Sequence, residues 1–263
     1  MHDIAFIFAG FAVGLIVGLT GVGGGSLMTP ILIFFFGVKP YLAVGTDLLF
    51  AAFTKLGGTV SLTRQRLVPW RVVATLSAGS IPASLITLWL LHEVGPADPA
   101  VQKLMTSTLG VALLLTAAAS LYKAARGKQL PRALVAGQET QAMKPRHWAL
   151  PLLLGAVIGT LVTLTSVGAG AIGVTALLLL YPLLPLPRIV AADIAYAVPL
   201  TLVAGLGHAS LGSVDWPLLA KLLAGSLPGI WLGSRLITRT PERLIRGVLS
   251  VLLAWAGTKL VMI

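Results

Sequence analysis

The chain has 263 residues, of which 57% are hydrophobic and only 10% are charged, with a formal net charge of +11. Soluble domains carry about 25% charged residues, so this chain has too few polar side chains to cover a surface that faces water. The composition therefore predicts an integral membrane protein, for which lipid is the solvent, and excludes a soluble enzyme.

Apolar segments follow one another along the whole chain. They lie at 4–20, 26–37, 41–62, 70–92, 100–122, 147–166, 171–184, 188–208, 216–237 and 243–262. Most approach the roughly 20 residues that cross a bilayer. Segments 26–37 and 171–184 are shorter and each follows a glycine-rich stretch, which predicts half-helices or one arm of a re-entrant hairpin. No basic region precedes 4–20, so we interpret it as a retained membrane segment and not a signal peptide.

One polar stretch, at 123–146, divides the chain near its middle. It predicts three parts: a first membrane repeat at 1–122, a cytoplasmic linker at 123–146 and a second membrane repeat at 147–263. Most of the basic residues lie in this stretch and in short loops between apolar segments. That is the positive-inside pattern of a membrane protein, and it argues against a nucleic-acid partner.

The two halves carry the same motifs in the same order. TGVGGG at 20–25 is matched by TSVGAG at 165–170, Asp47 by Asp193, VPW at 68–70 by VDW at 214–216, and AGSIP at 78–82 by AGSLP at 224–228. The offset is 145 residues at the glycine-rich motif and 146 from Asp47 onward. A constant offset over several motifs indicates an internal duplication.

The charges of equivalent loops are reversed between the halves. The loop at 63–71 has three arginines, whereas its equivalent at 209–217 has only Asp215; the loop at 92–99 is acidic, whereas its equivalent at about 235–246 has four arginines. The sequence therefore predicts an all-α polytopic membrane protein with two inverted-topology repeats and both termini on the non-cytoplasmic side. Each repeat would contain about three to four spanning helices plus a broken or re-entrant helix at its glycine-rich motif.

The glycine-rich motifs are candidate substrate sites. A helix that begins at membrane depth presents N–H groups and a partial positive charge, which suit an anion, while glycine permits a tight turn and hydroxyls add donors. The alternative is that these small residues only let helices pack closely. The candidates are Thr20, Gly21, Gly23, Gly24, Gly25, Thr165, Ser166, Gly168 and Gly170.

Asp47 and Asp193 are carboxylates inside apolar segments, at equivalent positions. A charge there is costly, so each is predicted either to bind and release a proton during transport or to cap its helix near Pro40 or Pro187. His208 is a further candidate for proton coupling, and the alternative for it is an ordinary histidine at the membrane interface.

Lys55 lies deep within segment 41–62, and the second half has Thr201 at the equivalent position. An intramembrane lysine is predicted to attract the substrate anion or pair with an aspartate, or else to extend its ammonium to the cytoplasmic interface. Tyr196 is three residues after Asp193, so it shares a helix face with that carboxylate and is a candidate to line the cavity.

The run GLTGVGGGSLMTPIL at 18–32, followed by KPYLAVGTDLL at 39–49, resembles the TauE/SafE sulfite-exporter family, also called TSUP. The weaker second copy, at 162–195, is similar to the second half of that family. The resemblance covers essentially the whole chain. It implies a bacterial inner-membrane protein that moves small sulfur-containing anions such as sulfite, sulfoacetate, thiosulfate or related organosulfonates.

A secondary transporter, driven by protons or by the membrane potential, is therefore the main expectation, and the expected direction is export. No GxxxxGK[ST] run is present for ATP binding, and no HExxH, cysteine or supported GxSxG for an intramembrane enzyme. A passive anion channel is the alternative. The expected partners are the anion, protons and the lipid bilayer, and no cofactor is expected. The sequence does not decide between a monomer and a homo-oligomer.

Overall fold

The computed structural model describes residues 2–20, 25–125, 149–168, 170–236 and 242–262. Within these ranges the chain forms ten helices and no strand, which confirms the prediction of an all-α protein for the described residues. The helices are α1 His2–Thr20, α2 Gly25–Phe36, α3 Pro40–Arg64, α4 Trp70–Val94, α5 Pro99–Ala125, α6 Ala149–Thr165, α7 Ala171–Leu180, α8 Leu186–Ser210, α9 Trp216–Leu236 and α10 Glu242–Val261.

Three of these helices are long and apolar enough to cross a membrane by themselves, namely Trp70–Val94, Pro99–Leu121 and Leu186–Ser210. Shorter apolar helices lie at Ile4–Gly18, Leu27–Phe36, Ala149–Thr165 and Ser250–Val261. The outer faces of the spans expose large apolar side chains, such as Trp89 on α4 and Leu115 on α5. Such faces are costly in water and are solvated well by lipid.

The two short segments are short helices, of 12 residues in α2 and 10 in α7. Helix α7 stops at Leu180, earlier than the predicted end at 184, because Pro182 disfavours helical geometry at Tyr181. Helix α5 continues to Ala125, so the first three residues of the predicted linker are helical. The rest of that linker, 126–146, lies outside the described residues.

Helices of the first half pack mainly on helices of the second half. Helix α1 packs against α9, α4 against α6, α5 against α10, and α3 against α8 at the centre. Glycines allow the backbones to approach closely: a Cβ atom on Gly14 would overlap the backbone of Ser226, and one on Gly159 would overlap the backbone of Ser80. For these glycines, close helix packing is the role that the structure shows.

The same contacts occur twice, with the halves exchanged. Gly10 of α1 lies against Leu222 of α9, and Gly155 of α6 lies against Leu76 of α4. These pairs are related by the sequence offsets of 145 and 146 residues. As a result, α3 and α8 occupy equivalent places at the middle of the bundle, where they carry Asp47 and Asp193.

Candidate functional site

The carboxylates of Asp47 and Asp193 lie inside the bundle. Each is the eighth residue of its helix, and the N-cap positions belong to Lys39 and Pro185, neither of which makes a side-chain capping hydrogen bond. Asp47 is 0% exposed and Asp193 is 3% exposed. The interpretation of these residues as helix caps is therefore wrong: prolines at the helix starts leave little need for a cap, and both carboxylates are more than one turn further along.

Asp47 connects the two halves of the protein. Its Oδ2 accepts a hydrogen bond of 2.5 Å from the Oγ1 of Thr29, the fifth residue of α2. The side chain of Ser166, which follows the last residue of α6, also adjoins this carboxyl group. The Oδ1 of Asp47 is buried and has no hydrogen-bond partner among the described residues. Asp47 thus lies between the short helix of the first half and the glycine-rich break of the second.

Asp193 lies against the first turn of the second short helix. A Cβ atom on Gly173, the third residue of α7, would overlap the Oδ1 of Asp193. Glycine at 173 is therefore what lets α8 bring its carboxylate to this place. The N-terminal turn of a helix carries partial positive charge, which favours a negative group. Each aspartate consequently meets the short helix of its own half.

The glycine-rich motif of the second half is an interruption between α6 and α7, as predicted. Ser166 has a φ of 58°, and Gly168 and Gly170 have φ values of 139° and 133°. These values lie in the region that favours glycine, so Ser166 holds a conformation that most side chains avoid. The hydroxyl of Ser166 is buried and has no hydrogen-bond partner among the described residues.

The start of α7 offers an anion fewer free N–H donors than the glycine-rich motif predicted. The N–H of Gly173 donates to the carbonyl of Gly168 at 3.1 Å, and the N–H of Val174 donates to that of Gly170 at 2.9 Å. The second of these is the ordinary first bond of the helix, so Gly173 is the one otherwise free donor of the first turn that the protein already uses. The hydroxyl of Thr165 is also engaged, because it accepts from the N–H of Val167 at 3.1 Å.

The first glycine-rich motif is described only at its edges. Thr20 is the last residue of α1 and Gly25 is the first of α2. Gly21, Gly23 and Gly24 lie outside the described residues, so the predicted anion site at this motif stays a prediction.

Lys55 is buried at the centre, with 6% of its surface exposed. Among the side chains that the structure describes, it is the only buried lysine or arginine. Its ammonium interacts electrostatically with both carboxylates, more strongly with Asp193 than with Asp47. The interpretation that Lys55 extends to the cytoplasmic interface is therefore wrong. The equivalent residue, Thr201, is neutral, and its hydroxyl donates to the carbonyl of Ala197 in its own helix at 2.7 Å.

Tyr196 and Ser80 add a pair of hydroxyls beside Asp193. Both residues are buried, and their side chains adjoin each other across the contact of α8 with α4. Neither hydroxyl has a hydrogen-bond partner among the described residues. Tyr196 was predicted to line the site, whereas Ser80 was missed. The repeated AGSIP motif, which contains Ser80, was the signal that could have indicated it.

His208 is buried inside the bundle, two residues before the end of α8. It is fully buried, and its Nε2 donates to the carbonyl of Thr163 at 2.9 Å. Its Nδ1 has no partner among the described residues. The hydroxyl of Thr163 is also 2.7 Å from the Oγ of Ser84, so a polar chain links α8, α6 and α4. Sequence reasoning missed both Thr163 and Ser84, since single hydroxyls in apolar helices have no distinctive pattern.

Among the side chains that the structure describes, the interior therefore contains one lysine, two aspartates and several hydroxyls within an apolar bundle. In the described parts of the chain, no cluster of three His, Asp or Glu side chains is suited to hold a metal ion. The arrangement is suited to holding a small anion at Lys55 and to taking up a proton at a carboxylate. Both events change the charge of a region that excludes water, where electrostatic interactions are strong.

Comparison with known proteins agrees with this architecture. The sequence pattern described as "Sulfite exporter TauE/SafE" matches residues 6–260. "Probable membrane transporter protein YjnA" of Bacillus subtilis (strain 168) is 35% identical over 268 residues, covering 98% of this chain and all of that protein.

A second relative, "Probable membrane transporter protein YunE" of the same organism, is 25% identical over 281 residues, covering 99% of this chain and 98% of that protein. No solved structure matches the chain. The family and the names of the relatives indicate a membrane transporter and not an enzyme. The match over nearly the whole length shows that the chain belongs to the sulfite exporter TauE/SafE family of membrane transporters.

Proposed function

We propose that the protein is a secondary transporter that exports small sulfur-containing anions, such as sulfite, sulfoacetate or related organosulfonates, across the bacterial inner membrane. The observation that carries this proposal is the buried Lys55, which lies within electrostatic range of Asp47 and Asp193 at the contact between the two halves. A cation buried in a membrane bundle is a natural counter-ion for an anion in transit.

The movement would be alternating access between two inverted repeats. The duplicated motifs, the reversed loop charges and the exchanged contacts of α1 with α9 and α6 with α4 support it. In such transporters the substrate binds near the midplane, at the interface of the repeats, beside interrupted helices. The repeats would comprise 1–122 and 147–263, joined by the cytoplasmic linker at 123–146, in a multi-pass protein.

The substrate site would include Lys55, Tyr196 and the residues of the two glycine-rich motifs. The motifs would contribute hydroxyl and backbone donors from Thr20, Gly21, Gly23, Gly24, Gly25, Thr165, Ser166, Gly168 and Gly170. A sulfonate or sulfite group has several acceptor oxygens around one centre, so it suits a site with a single cation and several donors.

A proton would move together with the anion. A carboxylate lies at the first turns of each short helix, where it repels an anion as long as it is charged. Protonation of Asp47 or Asp193 removes that repulsion, so an anion and a proton favour one another's binding. His208 would relay protons, because its Nδ1 is buried and has no partner among the described residues.

The test is transport by the purified protein in liposomes. Labelled sulfite and sulfoacetate are followed under an imposed pH gradient, with the membrane potential clamped by valinomycin and equal potassium. Saturable uptake that depends on the gradient is expected, and lower uptake in Asp47→Asn and Asp193→Asn. Flux that does not saturate and ignores pH would instead establish a passive channel. No flux of either anion, with folded protein, would remove this substrate class.

A further inference from the structure

Helices α3 and α8 pack in an antiparallel register that two contacts define. A Cβ atom on Gly205 would contact the backbone N of Leu49 at 3.1 Å, and one on Gly58 would contact the Cγ2 of Ile194 at 3.6 Å. Residue numbers rise along one helix as they fall along the other. The two contacts are each within one residue of equivalence under the 146-residue offset, so the centre of this crossing lies about midway between them, close to the level of Lys55.

The Cα of Lys55 is not equally far from the two carboxylates along the helix axis. Asp193 is next to Ile194, which lies opposite Gly58, so it is about one turn from Lys55, or about 6 Å. Asp47 is eight residues from Lys55 on α3, or about 12 Å along the axis. The stronger electrostatic interaction of the ammonium with Asp193 agrees with this spacing.

The surroundings of the carboxylates are also unequal. Beside Asp193, the hydroxyls of Tyr196 and Ser80 are buried and have no hydrogen-bond partner among the described residues. The equivalent position in the first half is Phe50, which has no hydroxyl. The equivalent of Ser80 is Ser226, whose hydroxyl donates to the carbonyl of Leu223 at 3.3 Å. The two sides thus differ in their hydroxyls without a partner among the described residues: those of Tyr196 and Ser80 lie beside Asp193, whereas that of Ser166 alone lies beside Asp47.

From these observations we propose that the two aspartates have different roles. In the empty site, Lys55 pairs with Asp193; a transported anion takes the place of this carboxylate at the ammonium, and Asp193 then holds the coupled proton. Asp47 is the contact that joins α2 to the break of the second half. The proposal rests on the proposed function, because it assigns the anion-binding cation and the proton carrier within the same site.

The charge is balanced at each step. When the anion binds to Lys55, a proton from water binds to Asp193, so the added negative and positive charges offset each other. The proton returns to water as the anion leaves. Lys55 on α3 faces Asp193, and Tyr196 lies on the same helix as Asp193. Helices α6 and α7 contain no titratable side chain, and those of α4 are confined to its ends, at Arg71, His92 and Glu93.

The first experiment compares Asp193→Asn with Asp47→Asn. In Asp193→Asn, exchange of labelled sulfoacetate across the liposome membrane should continue, while net uptake no longer responds to the pH gradient. Titration calorimetry should show sulfoacetate binding that has lost its dependence on pH. Asp47→Asn should transport more slowly and keep its response to the gradient. Loss of the response in Asp47→Asn, or its retention in Asp193→Asn, would overturn the assignment.

The second experiment moves the lysine to the other half. Lys55→Thr alone should lower uptake at least about tenfold, as expected when one partner of a buried charge pair is removed. Adding Thr201→Lys should restore part of the uptake, because residue 201 is equivalent to 55. In this double variant, Asp47→Asn should now remove the response to pH, since the relocated lysine lies nearer to Asp47 than to Asp193 along the helix axis. Lys103→Gln, on an exposed face of α5, is the matched control.

A third measurement needs no ligand, so it separates this proposal from the proposed function. Double-mutant cycles of thermal unfolding in detergent, with Lys55→Gln, should give a larger interaction energy with Asp193→Asn than with Asp47→Asn. Equal interaction energies, or a larger value for Asp47, would contradict the pairing. If the wild-type protein moves neither sulfur anion while Lys55 and Asp193 are coupled, only the substrate class fails.

Discussion

The Oγ1 of Thr29 donates a hydrogen bond of 2.5 Å to the Oδ2 of Asp47, and so ties the short helix α2 to the central helix α3. Both residues are fully buried. In an apolar bundle, a carboxyl group that loses its hydrogen-bond donor is destabilising, because the free energy lost when the group left water is no longer offset by the hydrogen bond. This contact therefore holds Asp47 in place beside the break between α6 and α7.

We expect Thr29→Val to lower stability by about 1–3 kcal/mol, because it removes a buried donor and leaves the acceptor unsatisfied. Thermal unfolding in detergent measures the loss, and uptake by liposomes should fall with it. Thr29→Ser, which keeps the hydroxyl, should retain most of both. Thr258→Val serves as the control, since the exposed Thr258 donates only within its own helix. Equal stability of Thr29→Val and wild type would refute a structural role for the bond.

Gly173→Ala should impair transport strongly, although the substitution adds only one methyl group. The added Cβ would overlap the Oδ1 of Asp193, so either α7 or the carboxylate must shift. We expect reduced uptake and a lower unfolding temperature. Gly57→Ala is the matched control: nothing lies within 4 Å of its added Cβ, and alanine favours a helix by up to about 1 kcal/mol over glycine. If the two variants behave alike, Gly173 does not serve to seat Asp193.

Labelling with thiol reagents tests the inverted repeats. The chain has no cysteine, so a single introduced thiol gives an unambiguous signal. Gln65→Cys, after α3, and Ser210→Cys, at the end of α8, lie at nearly equivalent exposed positions. In intact cells, an impermeant maleimide should label Ser210→Cys, whereas Gln65→Cys should react only after the membrane is opened. Labelling of both from the same side would exclude inversion.

His208→Gln should slow proton-coupled uptake several-fold without changing the final accumulation. Glutamine can still donate to the carbonyl of Thr163, but it does not carry a proton, and a relay sets the rate of proton delivery and not the stoichiometry. Initial rates and plateau values measured in the same liposomes separate the two effects. A lower plateau would make His208 a coupling residue in its own right. His208→Leu, which also loses the hydrogen bond, reports the structural contribution.

Much of the architecture could be predicted from the sequence because lipid imposes simple rules. A spanning helix needs a long apolar segment, and the loops between helices carry the charges. The helices and the two short segments could therefore be predicted from the composition of each stretch of sequence. The end of α7 was misplaced, since apolar residues continue past Leu180 although Pro182 stops the helix. The duplicated motifs likewise pointed to Asp47 and Asp193 as a pair.

The sequence by itself determined a helical membrane protein of this family with a small set of intramembrane charges, and it predicted two related halves. Only the tertiary structure decided what those charges do. The positions of the aspartates within their helices excluded capping, and burial excluded that Lys55 extends its ammonium to the interface. Packing brought Ser80 to Tyr196 and Ser166 to Asp47. The reason is physical: these contacts join helices that are far apart in the chain, and the periodicity of one helix does not specify which residue of another helix it meets.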